Sequence, residues 1–186
     1  QHRERTSHLS ISRMVSAETL QSWISKRYRL LVAGVDVDNG SDRPSVKDME
    51  LYTTALLVCS GADGVLDPKE KDWILGHQAA FGCPGEILDN VDELATKYTV
   101  DEICAEIKAS PTLKYTDRSI IFHCISACYA DGDLAPAELE SIKKVADVFG
   151  LTDGDVEELL DLYLQQQALN DKVLKTLFKE KHPYNG

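Results

Sequence analysis

The strongest constraint on the fold of this chain is a short motif that occurs twice. The sequence ADGVLDPKE at residues 62–70 returns as ADGDLAPAE at residues 130–138, an offset of 68 residues. We therefore interpret residues 45–83 and 119–151 as two copies of one structural unit. The similarity continues without a gap at three further pairs of positions, which are Ile74 and Ile142, Phe81 and Phe149, and Gly82 and Gly150.

The motif itself predicts a helix, a sharp turn and a second helix. Gly64 can adopt a left-handed conformation that ends the first helix. Asp67 is a suitable N-cap for the second helix, Pro68 suits its first position, and Glu70 suits the third position of a capping box. Ala135 replaces Asp67 in the second copy, so that copy lacks the N-cap side chain, at a cost of ~1 kcal/mol.

Apolar residues recur at three- and four-residue steps along most of the chain, whereas the alternating pattern of a β-strand is almost absent. The sequence therefore predicts an all-α fold, a compact bundle of about eight helices with an internal pseudo-repeat. Helices are expected at residues 45–62, 68–81, 86–98, 99–109, 119–130, 136–149 and 152–164, followed by a short amphipathic tail at 169–178.

Three regions are expected along the chain. Residues 1–44 form a basic arm, an amphipathic helix beginning at Ser16 and an acidic loop; residues 45–165 form the repeated helical domain; and residues 166–186 form a C-terminal amphipathic tail. The basic amphipathic helix is expected either to pack on its own domain or to dock elsewhere.

Charge is distributed unevenly along the chain. The formal net charge is -11, and residues 31–186 carry 14 basic and 29 acidic residues. Such a surface repels nucleic acid and anionic membranes and attracts cations or basic protein surfaces. We therefore expect a protein partner and no nucleic acid.

The sequence contains no apolar run of the length of a membrane span. We expect a soluble or peripherally associated protein of the cytoplasm or of an organelle interior, the chloroplast stroma or the mitochondrial matrix. Gln1 is interpreted either as the start of a trimmed chain or as the remnant of a cleaved transit peptide. Five cysteines without a Cys-x-x-Cys pair argue against a disulfide framework and a zinc knuckle.

The repeated turn matches half of a calcium-binding loop of the EF-hand kind. Asp63, Gly64, Asp67 and Glu70 fall at positions five, six, nine and twelve of that template, but positions one and three have no carboxylate in either copy. We therefore predict weak, water-rich binding of calcium or magnesium. The candidate ligands are Asp63, Asp67 and Glu70 in the first copy, and Asp131, Asp133 and Glu138 in the second.

A purely structural interpretation of the same residues stays open. Asp-Gly forms the turn, and Glu70 and Glu138 satisfy free amides at the start of the following helix, where negative charge is favoured. The sequence does not decide whether the two turns lie close together.

Catalytic motifs are absent from the sequence. It contains no Gly-rich phosphate loop, no G-x-S-x-G and no H-E-x-x-H. His77 and His123 lie on apolar helical faces and are predicted to belong to the core, although His123 with Cys124 and Cys128 is an alternative site for a soft metal. We predict no catalytic residues and a protein that is not an enzyme.

These residues resemble a known family. Paired helices with an A-D-G turn, a Leu two places and a Glu six places after the Gly, and a closing F-G, are similar to the tellurite-resistance TerB-like domain over about residues 45–165. The resemblance implies an all-α fold, an acidic surface that binds divalent metal, and a role as a sensor or interaction module tied to membrane-associated assemblies. By position it carries metal-linked carboxylates to Asp63, Glu70, Asp131 and Glu138.

Two functions are consistent with this sequence. The first is a non-catalytic helical protein-interaction module that a divalent cation modulates at the two turns. The alternative is a structural subunit of a larger, membrane-associated or organellar complex, with no metal role.

Overall fold

The computed structural model describes residues 44–113 and 116–179, and within these ranges the chain is all-helical. The predicted arm, amphipathic helix and acidic loop at residues 1–43 lie outside the described residues. The prediction of an all-α bundle is confirmed. The eight α-helices of the described part are α1 (Val46–Ser60), α2 (Pro68–Ala80), α3 (Gly85–Leu88), α4 (Val91–Lys97), α5 (Val100–Ala109), α6 (Asp117–Cys128), α7 (Pro136–Val148) and α8 (Asp153–Leu177).

Helices α1 and α6 form the centre of the bundle. They pack against each other, α1 also contacts α2, α4, α5 and α7, and α6 also contacts α2, α7 and α8. The residues of α6 from Cys124 to Cys128 are all buried, as are those of α1 from Thr53 to Ser60. Burial of nearly the whole circumference explains why the apolar residues of these two helices run almost without interruption.

Each central helix ends in a turn whose glycine has a left-handed backbone. Gly64 has a φ of 99° and Gly132 a φ of 111°. A short 3-10 helix at Tyr129–Asp131 extends α6 before the second turn. The two turns therefore share one local geometry, while the pseudo-symmetry of the two halves stays a prediction.

The predicted helix at residues 86–98 is wrong as a single element. It is two helices, α3 and α4, separated at Asp89 and Asn90. Asn90 leaves the helical conformation, with φ −112° and ψ 18°, and its side-chain Nδ2 donates to the carbonyl oxygen of Glu86 at 2.7 Å. Asparagine competes for backbone hydrogen bonds in this way, which breaks a short helix.

The predicted break before residue 169 does not exist, because α8 continues without interruption to Leu177. Residues 165–168 are Gln-Gln-Gln-Ala, all good helix formers, so the chain has no local reason to stop. The first half of α8 packs on α6, where Phe122 and Tyr129 both contact Tyr163. Every described residue after Tyr163 is exposed.

In the described part of the chain, no helix is both long enough and apolar enough to cross a membrane.

Candidate metal centre

Glu70 is placed by the start of α2. Asp67 caps this helix by accepting from the backbone N–H of Lys69 at 2.8 Å, and Glu70 Oε2 accepts from the backbone N–H of Asp67 at 2.9 Å. Pro68 occupies the first turn, where its missing N–H costs nothing. The predicted capping box is confirmed, and it holds the Glu70 carboxyl group against the end of the helix.

Glu138 is placed in the same way by the start of α7. Its Oε2 accepts from the backbone N–H of Ala135 at 2.8 Å. Ala135 has no side-chain acceptor, so only one of the two reciprocal bonds of a capping box is present here. Glu138 nevertheless keeps the orientation that its backbone bond imposes.

The two glutamates meet in the interior. A carboxylate oxygen of Glu70, a carboxylate oxygen of Glu138 and Cys128 Sγ all lie within 4.8 Å of one another. Glu70 is 2% exposed and Glu138 5% exposed. Two carboxyl groups from different turns therefore share one buried position.

This proximity holds a proton on the pair. Burial is the main cause that raises the pKa of Glu70 to about 8; the backbone hydrogen bond from Asp67 opposes the shift, and the negative charges of Glu138 and Asp131 add to it. Burial also raises the pKa of Glu138. Two adjacent buried carboxylates repel each other, so near neutral pH the pair keeps one proton between them.

Asp63 and Asp131 lie at the exposed edge of this centre. Asp63 Oδ1 accepts from the N–H of Val65 and Asp131 Oδ1 from the N–H of Asp133, both at 2.9 Å. The negative charges of both aspartates raise the pKa of Glu138. They therefore contribute to the negative potential around the pair.

Asp67 and Asp133 are used by the backbone. Asp67 caps α2, and Asp133 Oδ1 accepts from the N–H of Leu134 at 2.9 Å. Within the described residues, one group of three potential metal ligands comes this close together, and it consists of Glu70, Cys128 and Glu138. The structure thus brings together one predicted ligand from each copy, Glu70 and Glu138, which the sequence had placed in two separate sites.

Cys128 was not predicted beside the carboxyl pair. Its Sγ lies 3.6 Å from Ser60 Oγ, and Ser60 and Cys128 are 68 positions apart, as are Glu70 and Glu138. The 68-residue offset is the signal in the sequence: if equivalent positions of the two copies are paired, Cys128 is placed beside Ser60 and Glu138 beside Glu70. Burial raises the pKa of the Cys128 thiol far above its ordinary value, so the sulfur stays protonated and is a poor ligand for a hard cation.

The two carboxyl groups are ligands of the type that a hard divalent cation prefers. The carboxyl pair offers oxygen ligands in a position where a cation would replace the shared proton, and Asp63 and Asp131 add negative charge at the edge. Magnesium is commonly held in this way, by one or two carboxylates and several waters. Lys69 Nζ already lies 3.4 Å from the carbonyl oxygen of Asp131, which places one positive charge near this edge.

His77 and His123 are buried, as predicted for core residues, and lie apart from the carboxyl pair. Their ring centroids are 4.2 Å apart, and Tyr52 Oη lies 2.6 Å from His123 Nδ1. Burial lowers the pKa of His77 to about 2 and that of His123 to about 4, so both rings are neutral. His123, Cys124 and Cys128 do not form a ligand group among the described residues.

Comparison with known proteins agrees with this architecture. The family model of the tellurite resistance protein TerB matches residues 53–161. The chain belongs to the TerB family. The match lies inside the 45–165 region where the turn motif resembles this family, so that interpretation is confirmed. No curated protein matches the chain.

A solved structure extends the similarity beyond the TerB match. It is the crystal structure of a tellurite resistance protein of Nostoc punctiforme, whose sequence is 29% identical to this chain. The comparison gives a TM-score of 0.71 and covers 89% of this chain and 98% of the Nostoc protein.

Proposed function

We propose that this TerB protein is a non-catalytic helical interaction module whose state depends on a divalent cation bound between its two turns. The observation that supports the proposal is the meeting of Glu70 and Glu138, buried carboxyl groups from separate turns. A pair of this kind connects the start of α2 to the start of α7. An ion bound there would change the packing of both helices together.

Glu70 and Glu138 would be the direct ligands, with Asp63 and Asp131 acting through water or by moving inward. Asp67 and Asp133 would act only indirectly, because they lie outside the group formed by Glu70, Glu138 and Cys128. The bound ion would supply positive charge in place of the shared proton. Binding should therefore release protons and weaken as the pH falls.

The protein partner and the compartment belong to the same proposal. The acidic surface suits a basic protein surface, in a multisubunit or membrane-associated complex. The described cysteines are unpaired thiols, which suits the reducing cytoplasm or an organelle interior.

Isothermal titration calorimetry of the metal-stripped chain with CaCl2 and then MgCl2 tests the cation step. We expect saturable heat at pH 7.5, with release of up to about one proton per ion when two buffers of different ionisation enthalpy are compared. The double variant Glu70→Gln with Glu138→Gln should lose this heat.

Glu102→Gln is the matched control. Glu102 closes the same kind of capping box, at the start of α5, but it is exposed. This variant should titrate like the unaltered chain. Saturable heat that persists in the double variant, or that is absent from the unaltered chain, would contradict the cation proposal.

The interaction step has its own test. Cross-linked partners should be captured from a cell lysate by the full chain with calcium or magnesium, and lost with a chelator or in the double variant. Capture that ignores the ion and the double substitution would leave an interaction module without cation control.

A second candidate function is a structural subunit of a larger complex in which the turns bind no ion. The observation favouring it is that both carboxyl groups already have partners, since each accepts a backbone N–H at the start of its own helix. Absence of binding heat and of any ion effect on thermal stability would favour this candidate.

A further inference from the structure

Exposed apolar side chains are concentrated on one helix. Among the described residues, seven of the nine large hydrophobic side chains that are exposed belong to α8 or to the residue that follows it. They are Leu162, Leu164, Leu169, Val173, Leu174, Leu177 and Phe178. The second half of α8 therefore leaves the bundle with an apolar surface in contact with solvent.

Four of these side chains form a stripe. At 3.6 residues per turn, Leu162, Leu169, Val173 and Leu177 fall within a sector of about 80° on α8. Their exposed fractions are 52%, 60%, 46% and 67%. Gln166 completes the line at the same spacing. Leucines and a valine interrupted by one polar residue resemble the contact line of a short coiled coil, in which the polar residue selects the register.

Charge along α8 is divided between its two halves. Residues 153–163 contain five acidic and no basic residues, whereas residues 164–179 contain three lysines and one aspartate. Two such helices side by side in the same direction would place like charges together. In opposite directions, the acidic half of each helix meets the basic half of the other.

We propose that the stripe on α8 is the contact surface for a second copy of this chain, with the two α8 helices packed antiparallel about a two-fold axis. In this register Leu162 faces the second copy's Val173, and Gln166 faces the second copy's Leu169. Asp161 then lies beside the second copy's Lys172, because both residues flank the same side of the stripe. The contact is isologous, so it closes as a dimer and does not propagate.

The anchored first half of α8 makes this pairing feasible. An isolated helix of this length is marginal in water because its nucleus is costly. Here residues up to Tyr163 are held by α6, so the free half only has to extend an existing helix. The stripe is short for a coiled coil, and we expect a dissociation constant on the order of 10–100 µM.

Sedimentation equilibrium of the full chain between about 1 and 500 µM tests the proposal. We expect a concentration-dependent monomer–dimer equilibrium. Leu169→Asp should weaken it by at least about 50-fold, because a carboxylate would lie at the centre of the contact. Leu164→Asp is the matched control: Leu164 is 45% exposed but lies on the opposite side of α8, so the equilibrium should not change.

Charge reversal tests the antiparallel register. Asp161→Lys and Lys172→Glu should each weaken dimerisation about three- to tenfold, and the double variant should recover to within about twofold of the unaltered chain. Failure of the double variant to recover would overturn the antiparallel arrangement.

A chain that stays monomeric over the whole range would overturn the proposal. One competing occupant of the stripe is the amphipathic segment near residues 16–32. The fluorescence of Trp23, measured in a Trp73→Phe background, tests for it. A red shift of Trp23 emission on Leu169→Asp in a monomeric chain would show that this segment covers the stripe. A dimer unaffected by Leu169→Asp would show that another surface associates.

Discussion

Glu70 and Glu138 lie 68 positions apart in the chain, yet their buried carboxyl groups lie side by side, with oxygen atoms within 4.8 Å of each other. Each is also tied to the N-terminal end of its own helix by a backbone N–H. The contact between these two side chains connects the two turns. Its consequences for stability can be measured directly.

Stability should fall as the pH rises from about 6.5 to 8, and Glu70→Gln should flatten this dependence. The ordinary pKa of Glu is 4.5 and that of folded Glu70 is about 8, so between these values the folded chain binds a proton that the unfolded chain has lost. This stabilising contribution is fully present below pH 4.5 and is lost as the pH rises to about 8. The free energy of unfolding should fall by at most about 1.4 kcal/mol per pH unit over this range. Urea denaturation at several pH values measures it.

Glu102→Gln provides the comparison for this experiment. The backbone N–H of Thr99 lowers the pKa of Glu102, which is exposed, so this substitution should leave the downward slope in place. An unaltered chain whose stability is flat or rises across this range would argue against a shared proton at Glu70 and Glu138.

The contribution of two buried histidines to stability should fall as the pH drops below about 6.5. Burial lowers the pKa of His77 to about 2 and that of His123 to about 4, whereas an unfolded histidine titrates near 6.5. The unfolded chain therefore binds more protons than the folded chain as the pH drops. His77→Phe keeps a ring between Trp73 and Phe81 and should reduce the acid slope in urea denaturation. An unchanged slope would mean that His77 is not the group responsible.

Ala135→Ser should stabilise the protein by about 0.5–1 kcal/mol. Ala135 has the extended N-cap conformation, with φ −66° and ψ 146°, close to that of Asp67 at φ −64° and ψ 142°. A serine hydroxyl there can accept from a free N–H of α7 without adding charge near Glu138. The reciprocal change Asp67→Ala should cost about 1 kcal/mol. Thermal denaturation measures both, and a lower midpoint for Ala135→Ser would contradict the prediction.

Gly64→Ala and Gly132→Ala should each destabilise the protein by about 1 kcal/mol or more. A Cβ at either position would meet nothing within 4 Å, so the cost arises from the left-handed backbone and not from a clash. Gly76→Ala is the opposite case, since Gly76 lies within α2 with open space around its Cβ. That variant should gain about 0.5–1 kcal/mol in urea denaturation. Equal effects at all three positions would contradict this explanation.

Local chemistry accounts for the elements that were predicted correctly. Ser45, Thr99 and Thr152 each accept from the backbone three residues later, and an acidic side chain returns the bond. Such signals act over four residues and can be read directly. The two errors in the predicted helices also have local causes. Asn90 ends a helix that the spacing of apolar residues predicts to continue. Residues 165–168 continue a helix that the same spacing predicts to end.

The carboxyl pair shows the limit of this kind of prediction. The sequence identified all six acidic residues of the two turns, but it assigned them to two separate sites. The packing of α1 against α6 and of α2 against the 3-10 helix decides instead that Glu70, Glu138 and Cys128 come together. Asp67 and Asp133 looked equally suitable as ligands, but only Glu70 and Glu138 are buried beside Cys128.

By itself, the sequence determined the helical class, the positions of the two turns and the residues that cap the helices. These depend on backbone conformations and hydrogen bonds between residues a few places apart. Only the tertiary structure decided that two capping glutamates are buried against each other and that half of α8 is left exposed. Burial and proximity across 68 residues depend on how the helices pack, and that packing is what raises the pKa of Glu70 and creates the apolar stripe.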